Sequence, residues 1–235
     1  MRISHEVPID LLEKSKKFND YDYCLLHLTY VYPQYKQFYI DSIKEGRQVI
    51  LDNSLFELGD SLTNEQLAQG VRDIKPTWYV VPDCLNNCEK TIERFKEFKK
   101  AYPDLPGLSI GVVQGSTIDE LIKCYKYMSE NAYKIAIPFD SKGFECLSNS
   151  EDKLERWCEG RPKFIKLLID RGIWNFNKLH HLLGCSYAKE FSNKVYDFLN
   201  IESVDTSNPV VAGLKGLIYT NDGLHTKPSV KLCEL

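Results

Sequence analysis

No run of 18 apolar residues occurs in this chain, and its opening stretch, MRISHEVPIDLLEK, lacks a signal-peptide pattern. Both absences point away from a membrane span and toward a soluble, cytoplasmic protein. No GxGxxG follows the first strand-like run, and no GxxxxGK[ST] occurs anywhere, so dinucleotide-binding and P-loop readings lose their main support. No internal repeat, low-complexity tract or linker divides the 235 residues. Strong charge of either sign is also missing. The formal net charge of −3 argues against binding nucleic acid by bulk electrostatics, though a local basic patch stays compatible with it.

The eight cysteines, at 24, 84, 88, 124, 146, 158, 185 and 233, are scattered and carry no secretory context. Cys84 and Cys88 are separated by three residues, with no second pair or nearby His to complete a zinc set. Reduced, mostly buried thiols are the expectation, and neither a metal nor a cofactor is called for. Cys185 directly follows a strand-like run, but no obvious base accompanies it as a nucleophile.

What the chain does contain is ordinary globular material: 43% hydrophobic and 27% charged residues, with 13 Gly and 10 Pro. Strand-like runs recur at 2–7, 23–31, 47–52, 78–83, 108–113, 133–139, 180–185 and 201–205. Between them lie amphipathic stretches such as TNEQLAQGVRDI, NCEKTIERFKEFKKAY, TIDELIKCYKYMSEN and SYAKEFSNKVYDFLN. SEDKLERWCEG and KFIKLLIDRGI read as two further segments of this kind. Strands alternating with helices imply a parallel sheet with crossover helices, and eight of them fit a closed barrel. The expected fold is α/β, a single TIM-type (β/α) barrel domain over 1–235.

In such a barrel, chemistry gathers at the C-terminal ends of the strands. Those ends carry Asp52, Asp83, Gln114 with Gly115, Gly184 and Asp205. A single strand-end Asp is often only a turn former, as the run NIESVDTSNP around Asp205 illustrates. Three on one face are harder to dismiss, because like charges in one cleft cost free energy unless they are used or compensated. Other polar residues rank lower. His27 reads as a core residue, while His180 and His181 open a strand at the end opposite the chemistry. Tyr30, Tyr32 and Tyr35 follow a strand end where they could stack on a flat ligand, with aromatic core the expected role for at least one of them, and EKTIERFKEFKK reads as a solvated helix face.

The strand ends resemble those of the tRNA-guanine transglycosylases. LDNSLFELG (51–59) is similar to T-D-S-G-G-F-Q, with Asp52 and Phe56 in register, and VVPDC (80–84) is similar to A-F-D-E-C at Asp83. IGVVQGS (110–116) is close to G-I-V-Q-G-G through Gly111, Val113, Gln114 and Gly115. HHLLGCS resembles R-Y-L-M-G-V-G at Gly184, and VDTSNP resembles F-D-C-V-L-P at Asp205 and Pro209. There are departures. Ser54, Leu55 and Glu57 replace two Gly and a Gln, IAIPFD stands for G-G-L-x-V-G-E, and the Arg residues that follow the nucleophile motif are missing. So is the C-terminal zinc subdomain, a shortening most similar to the phage and bacterial enzymes that act on DNA.

The resemblance implies a transferase that replaces guanine in DNA by a 7-deazaguanine derivative through a covalent aspartyl-glycosyl intermediate. It casts Asp205 as nucleophile and Asp52 as general acid–base. Asp83 would accept from the N–H groups of the base and Gln114 would donate to its carbonyl, with Gly115, Phe56 and Gly184 completing the base site. The implied partners are nucleic acid, DNA ahead of tRNA, and a free 7-deazaguanine such as a queuosine precursor. The location would be the host cytoplasm if the chain is phage-encoded, and a homo-oligomer stays open. The alternatives are a tRNA-guanine transglycosylase or a non-catalytic base- or nucleic-acid-binding subunit.

Overall fold

The strands β1 (Arg2–His5), β2 (Asp22–Leu25), β3 (Val49–Asp52), β4 (Trp78–Val80), β5 (Leu108–Val112), β6 (Lys134–Pro138), β7 (Leu179–Leu183) and β8 (Ile201–Thr206) form one sheet. A computed structural model describes them within residues 1–59, 62–185 and 187–219, the side chains of 197 and 198 excepted. The order is β1-β8-β7-β6-β5-β4-β3-β2, and every neighbouring pair is parallel. Between β1 and β2 the seam is bridged by single bonds. The Asp20 N–H donates to the Ile3 carbonyl at 2.9 Å, and Asp20 Oδ2 accepts from the Ile3 N–H at 2.8 Å. With helices around the outside, this is a nearly closed α/β barrel of the TIM type.

Strands covered on both faces read as continuous apolar runs. Val49, Ile50 and Leu51 of β3 and every residue of β6 are buried accordingly. The crossover helices start on polar caps. Thr63 and Gln66 form a capping box for Asn64–Ile74, Asn87 caps Cys88–Ala101, and Thr117 caps Ile118–Asn131. Each helix then buries one stripe, such as Leu67, Val71 and Ile74. Fully burying a side chain of that size is worth about 1.5–3 kcal/mol. EKTIERFKEFKK follows the same rule, with Ile92, Phe95 and Phe98 inside.

Three expectations need correction. The run 23–31 is not one strand: β2 stops at Leu25, and Leu26–Val31 is helical. An unbroken apolar run carries no period to separate the two states. Contact with the helix Asn64–Ile74 decides it, for Leu26 packs where a Cβ on Gly70 would stand 2.4 Å from its Cδ1. Tyr30, Tyr32 and Tyr35 therefore sit on or beside helices, and Tyr35 is buried with its hydroxyl accepting from the Leu25 N–H.

Next, SEDKLERWCEG and KFIKLLIDRGI merge into one helix, Lys153–Asp170, with Pro162 inside it. Proline costs a hydrogen bond there, and the residue before it, Arg161, is fully buried. Its guanidinium binds both Glu190 oxygens, at 2.7 and 2.9 Å, and the carbonyls of Ile137 and Leu183. Finally, SYAKEFSNKVYDFLN forms two short 3-10 helices, Ala188–Ser192 and Lys194–Phe198, rather than one α-helix. Glu190 is committed to Arg161, which fixes that segment against the barrel wall.

Candidate active site

Asp52 ends β3, buried, with both oxygens engaged. Oδ1 accepts from the Tyr23 hydroxyl at 2.9 Å and Oδ2 from the Ser54 N–H at 2.7 Å. The second bond closes a turn in which Ser54 takes a left-handed conformation, φ 61°. Asp52 is thus a turn former as well as a cleft residue. Burial pushes its pKa well above the ordinary carboxylate range, and the nearby charges of Glu57 and Asp205 add to the rise; the two hydrogen bonds oppose it.

Asp83 lies just past β4 and is clamped from both sides. The Asn53 amide donates to Oδ1 at 2.8 Å, and the Gln114 amide donates to Oδ2 at 2.8 Å. Gln114 is held in turn by the Asn86 N–H on its Oε1 at 3.0 Å. This amide–carboxylate–amide row ties together the ends of β3, β4 and β5. Burial raises Asp83 to about 6, with the two amide donors acting against it.

Asp205, near the end of β8, takes no part in the turn that follows it. That turn is built by Thr206, whose Oγ1 accepts from the Asn208 N–H at 3.2 Å, and by Thr206 and Asn208 side chains bonding the Cys185 carbonyl. Asp205 Oδ1 instead accepts from the Gly184 N–H at 3.0 Å and stands 3.0 Å from Nε2 of His181. Gly184 is required for that aim. Its φ is +71°, and a Cβ there would sit 2.4 Å from the Phe139 ring.

One cleft joins these groups. Asp52, Asp83, Gln114, Gly184 and Asp205 line it, together with half-exposed Phe56, whose ring meets Phe139 edge-on at 5.8 Å. Gly115 does not line it. Its place is under the helix Ile118–Asn131, where a Cβ would come 2.8 Å from the Leu121 N. Carboxylates of Glu6, Glu57 and Asp140 also face the cleft, and among the described residues no Lys or Arg lines it. An acidic cleft with aromatic and aliphatic walls suits a flat ligand that presents N–H donors.

The placement of His181 is also a correction. It does not stand at the end opposite the chemistry: fully buried in β7, it reaches Asp205 through the barrel interior. His180 is turned to the other side, 2.9 Å from the Tyr125 hydroxyl and stacked on Trp174. Side chains alternate across a strand, so one of two adjacent His had to face inward. Period alone could not say which. Asn53 and Tyr23 were likewise missed as partners of Asp83 and Asp52, because such pairings cross between strands.

None of Tyr30, Tyr32 and Tyr35 lines the cleft, and neither does His27, whose backbone N–H donates to Ser54 Oγ at 3.2 Å. Cys185 does line it, but burial drives its thiol far above the usual range. The seven cysteines within the described residues are free, and Cys233 lies outside them. Among the described residues no three His, Cys, Asp or Glu side chains gather in a metal-holding group, and no helix is long and apolar enough to cross a membrane. No protein-family model matches the chain, and no curated protein matches it.

Proposed function

We propose that this chain is a base-exchange transglycosylase that replaces guanine in nucleic acid with a 7-deazaguanine. One observation carries the reading: two buried carboxylates, at the ends of β3 and β8, face the same cleft in unlike environments. Asp52 is biased toward its protonated form, whereas Asp205 accepts from the Gly184 N–H on one oxygen and has His181 Nε2 3.0 Å from that same oxygen. Pairs whose surroundings differ in this way divide acid and nucleophile roles between them.

In the proposed reaction an Asp205 oxygen attacks the anomeric carbon as the bond to the purine nitrogen breaks. The sugar passes through an oxocarbenium-like state, which a neighbouring negative oxygen stabilises and then traps. Asp52 gives its proton to the departing base and later takes one from the incoming base. That base then displaces Asp205 from the sugar, restoring the enzyme. Asp83 accepts from the base N–H groups, and Gln114, which spends one amide hydrogen on Asp83, keeps the other for a carbonyl.

The reading puts DNA ahead of tRNA as the substrate, and the same chemistry serves either. The test is incubation with labelled guanine and, separately, duplex DNA and tRNA, followed by nuclease digestion and nucleoside analysis. Label in deoxyguanosine supports the DNA reading, and label in guanosine moves the substrate to tRNA. No label from either, with binding retained, would leave a non-catalytic subunit.

A further inference from the structure

We infer that His181 is a positioning residue for Asp205, holding the carboxylate by Oδ1 so that Oδ2 is the oxygen that attacks. The inference rests on the proposed reading of Asp205 as nucleophile.

The geometry begins with an irregularity in the sheet. β7 pairs with β8 as His180 with Ile201 and then His181 with Ser203, so Glu202 is skipped. Bulges of this kind re-aim side chains near functional sites. This one sets Ser203 beside His181, with Ser203 Oγ 3.0 Å from Nδ1, while Nε2 stands 3.0 Å from Asp205 Oδ1, in ion-pair range but without the alignment of a hydrogen bond. A Ser hydroxyl donating to Nδ1 fixes the tautomer that carries its proton on Nε2, the nitrogen facing the carboxylate. On its flat side the imidazole stacks against Tyr23 at 6.0 Å and 22°, and Tyr23 is itself bonded to Asp52.

Two groups, His181 and the Gly184 N–H, converge on the same oxygen of Asp205. Oδ2 accepts no hydrogen bond among the described residues. A carboxylate pinned by one oxygen cannot spin, and its other oxygen stays unquenched and aimed at the cleft. Fixing a nucleophile in this way contributes through orientation, where misplacement by about 1 Å can cost about a hundredfold in rate. A histidine that merely filled the barrel would need neither the bulge nor the Ser203 contact.

The first arm of the test needs no activity. Nitrogen-15 NMR of His181 in the whole protein should show a protonated Nε2, and Ser203→Ala should allow the other tautomer to appear. A bare Nε2 in the wild type overturns the inference, because two lone pairs would then face each other.

The second arm compares His181→Leu with His181→Gln, whose amide can replace the Nε2 donor. For His181→Leu, kcat should fall about a hundredfold with KM held within about threefold, and the denaturation-resistant adduct should diminish. His181→Gln should recover kcat to within about tenfold of wild type. A folded His181→Leu with wild-type kcat, or a His181→Gln no better than it, overturns the inference. If His181→Leu does not fold, His181→Gln and Ser203→Ala decide between the two outcomes. Absence of exchange by the wild type on both nucleic acids would sink the proposed function instead, and the NMR arm would still report on the contact.

Discussion

The hydroxyl of Tyr23, on β2, donates to Oδ1 of Asp52, on β3, at 2.9 Å. The bond favours the charged form of Asp52 and so opposes the burial that raises its pKa. Tyr23→Phe removes that opposition, and Asp52 should hold its proton to higher pH. In the proposed reaction, the step in which Asp52 takes a proton from the incoming base then needs a more alkaline medium, so the acidic limb of the exchange profile should move up. Losing the bond should also cost about 0.5–1.5 kcal/mol of stability. The sign of its pH dependence follows from linkage. A folded-state pKa above the unfolded value means stability lost as pH rises, so the variant's deficit should be larger at pH 8 than at pH 4. Urea unfolding at the two pH values, beside the rate profile, checks both halves.

Asp83 gives a second pH dependence. Its pKa is raised to about 6 by burial, and only the ionised form can accept two N–H bonds from a base. About nine-tenths of it is charged at pH 7 and about one-tenth at pH 5. KM for the free base should therefore rise as pH falls through 6. Asn53→Ala deletes one of the donors that favour the charge and should shift that rise to higher pH. In stability the sign is again that of a raised carboxylate. Its contribution is complete below the unfolded value near 4 and is lost as pH climbs through 6. Asp83→Gln should flatten the stability curve over that window. An unchanged KM profile in Asn53→Ala would show that the amide clamp leaves the charge of Asp83 untouched.

The alternation of strands and helices was legible in the sequence because parallel strands buried on both faces leave apolar runs between capped amphipathic helices. The strand-end carboxylates were legible for a related reason: in this architecture the end of a strand has only one place to go. What could not be read was any relation that runs across strands. The 23–31 run has no period, so its break at Leu25 depends on where Leu26 meets Gly70. The inward aim of His181 is not legible because alternation makes one of two adjacent His face the barrel interior, and which one depends on how β7 sits in the sheet rather than on β7 alone. The turn reading of strand-end Asp also split. Asp52 does bond the Ser54 N–H two residues on, while Thr206 and Asn208 make the turn after β8 and spare Asp205.

Gly184 should tolerate no side chain. At φ +71° an alanine is strained whatever the space, and its Cβ would stand 2.4 Å from the Phe139 ring. Strain of this kind costs about 1–3 kcal/mol, so Gly184→Ala should lower the unfolding free energy by that amount. Relief by tilting the backbone would carry the N–H away from Asp205 Oδ1, and exchange should fall more than stability alone explains. Thermal melts paired with kcat at a temperature where the variant is folded separate the two effects. A variant as stable as wild type would show that Phe139 moves aside freely.

The proposed roles of Asp52 and Asp205 separate most sharply in their carboxamide variants. Asp205→Asn keeps the shape and an oxygen on the Gly184 N–H side but removes the charge that stabilises an oxocarbenium-like centre. Exchange should fall by several powers of ten, each worth about 1.4 kcal/mol of barrier, and no complex with nucleic acid should survive denaturation. Asp52→Asn leaves the proposed nucleophile in place. It deletes proton transfer, a contribution of about a hundred- to ten-thousandfold, so turnover should drop while a slow adduct still accumulates. Denaturing gel electrophoresis of each protein with labelled nucleic acid reads the adduct, and nucleoside analysis reads the exchange. If the adduct forms in Asp205→Asn and is lost in Asp52→Asn, the assignments are reversed. Asp52, whose oxygens already accept from Tyr23 and Ser54, would then have to shed one of those bonds to reach the sugar.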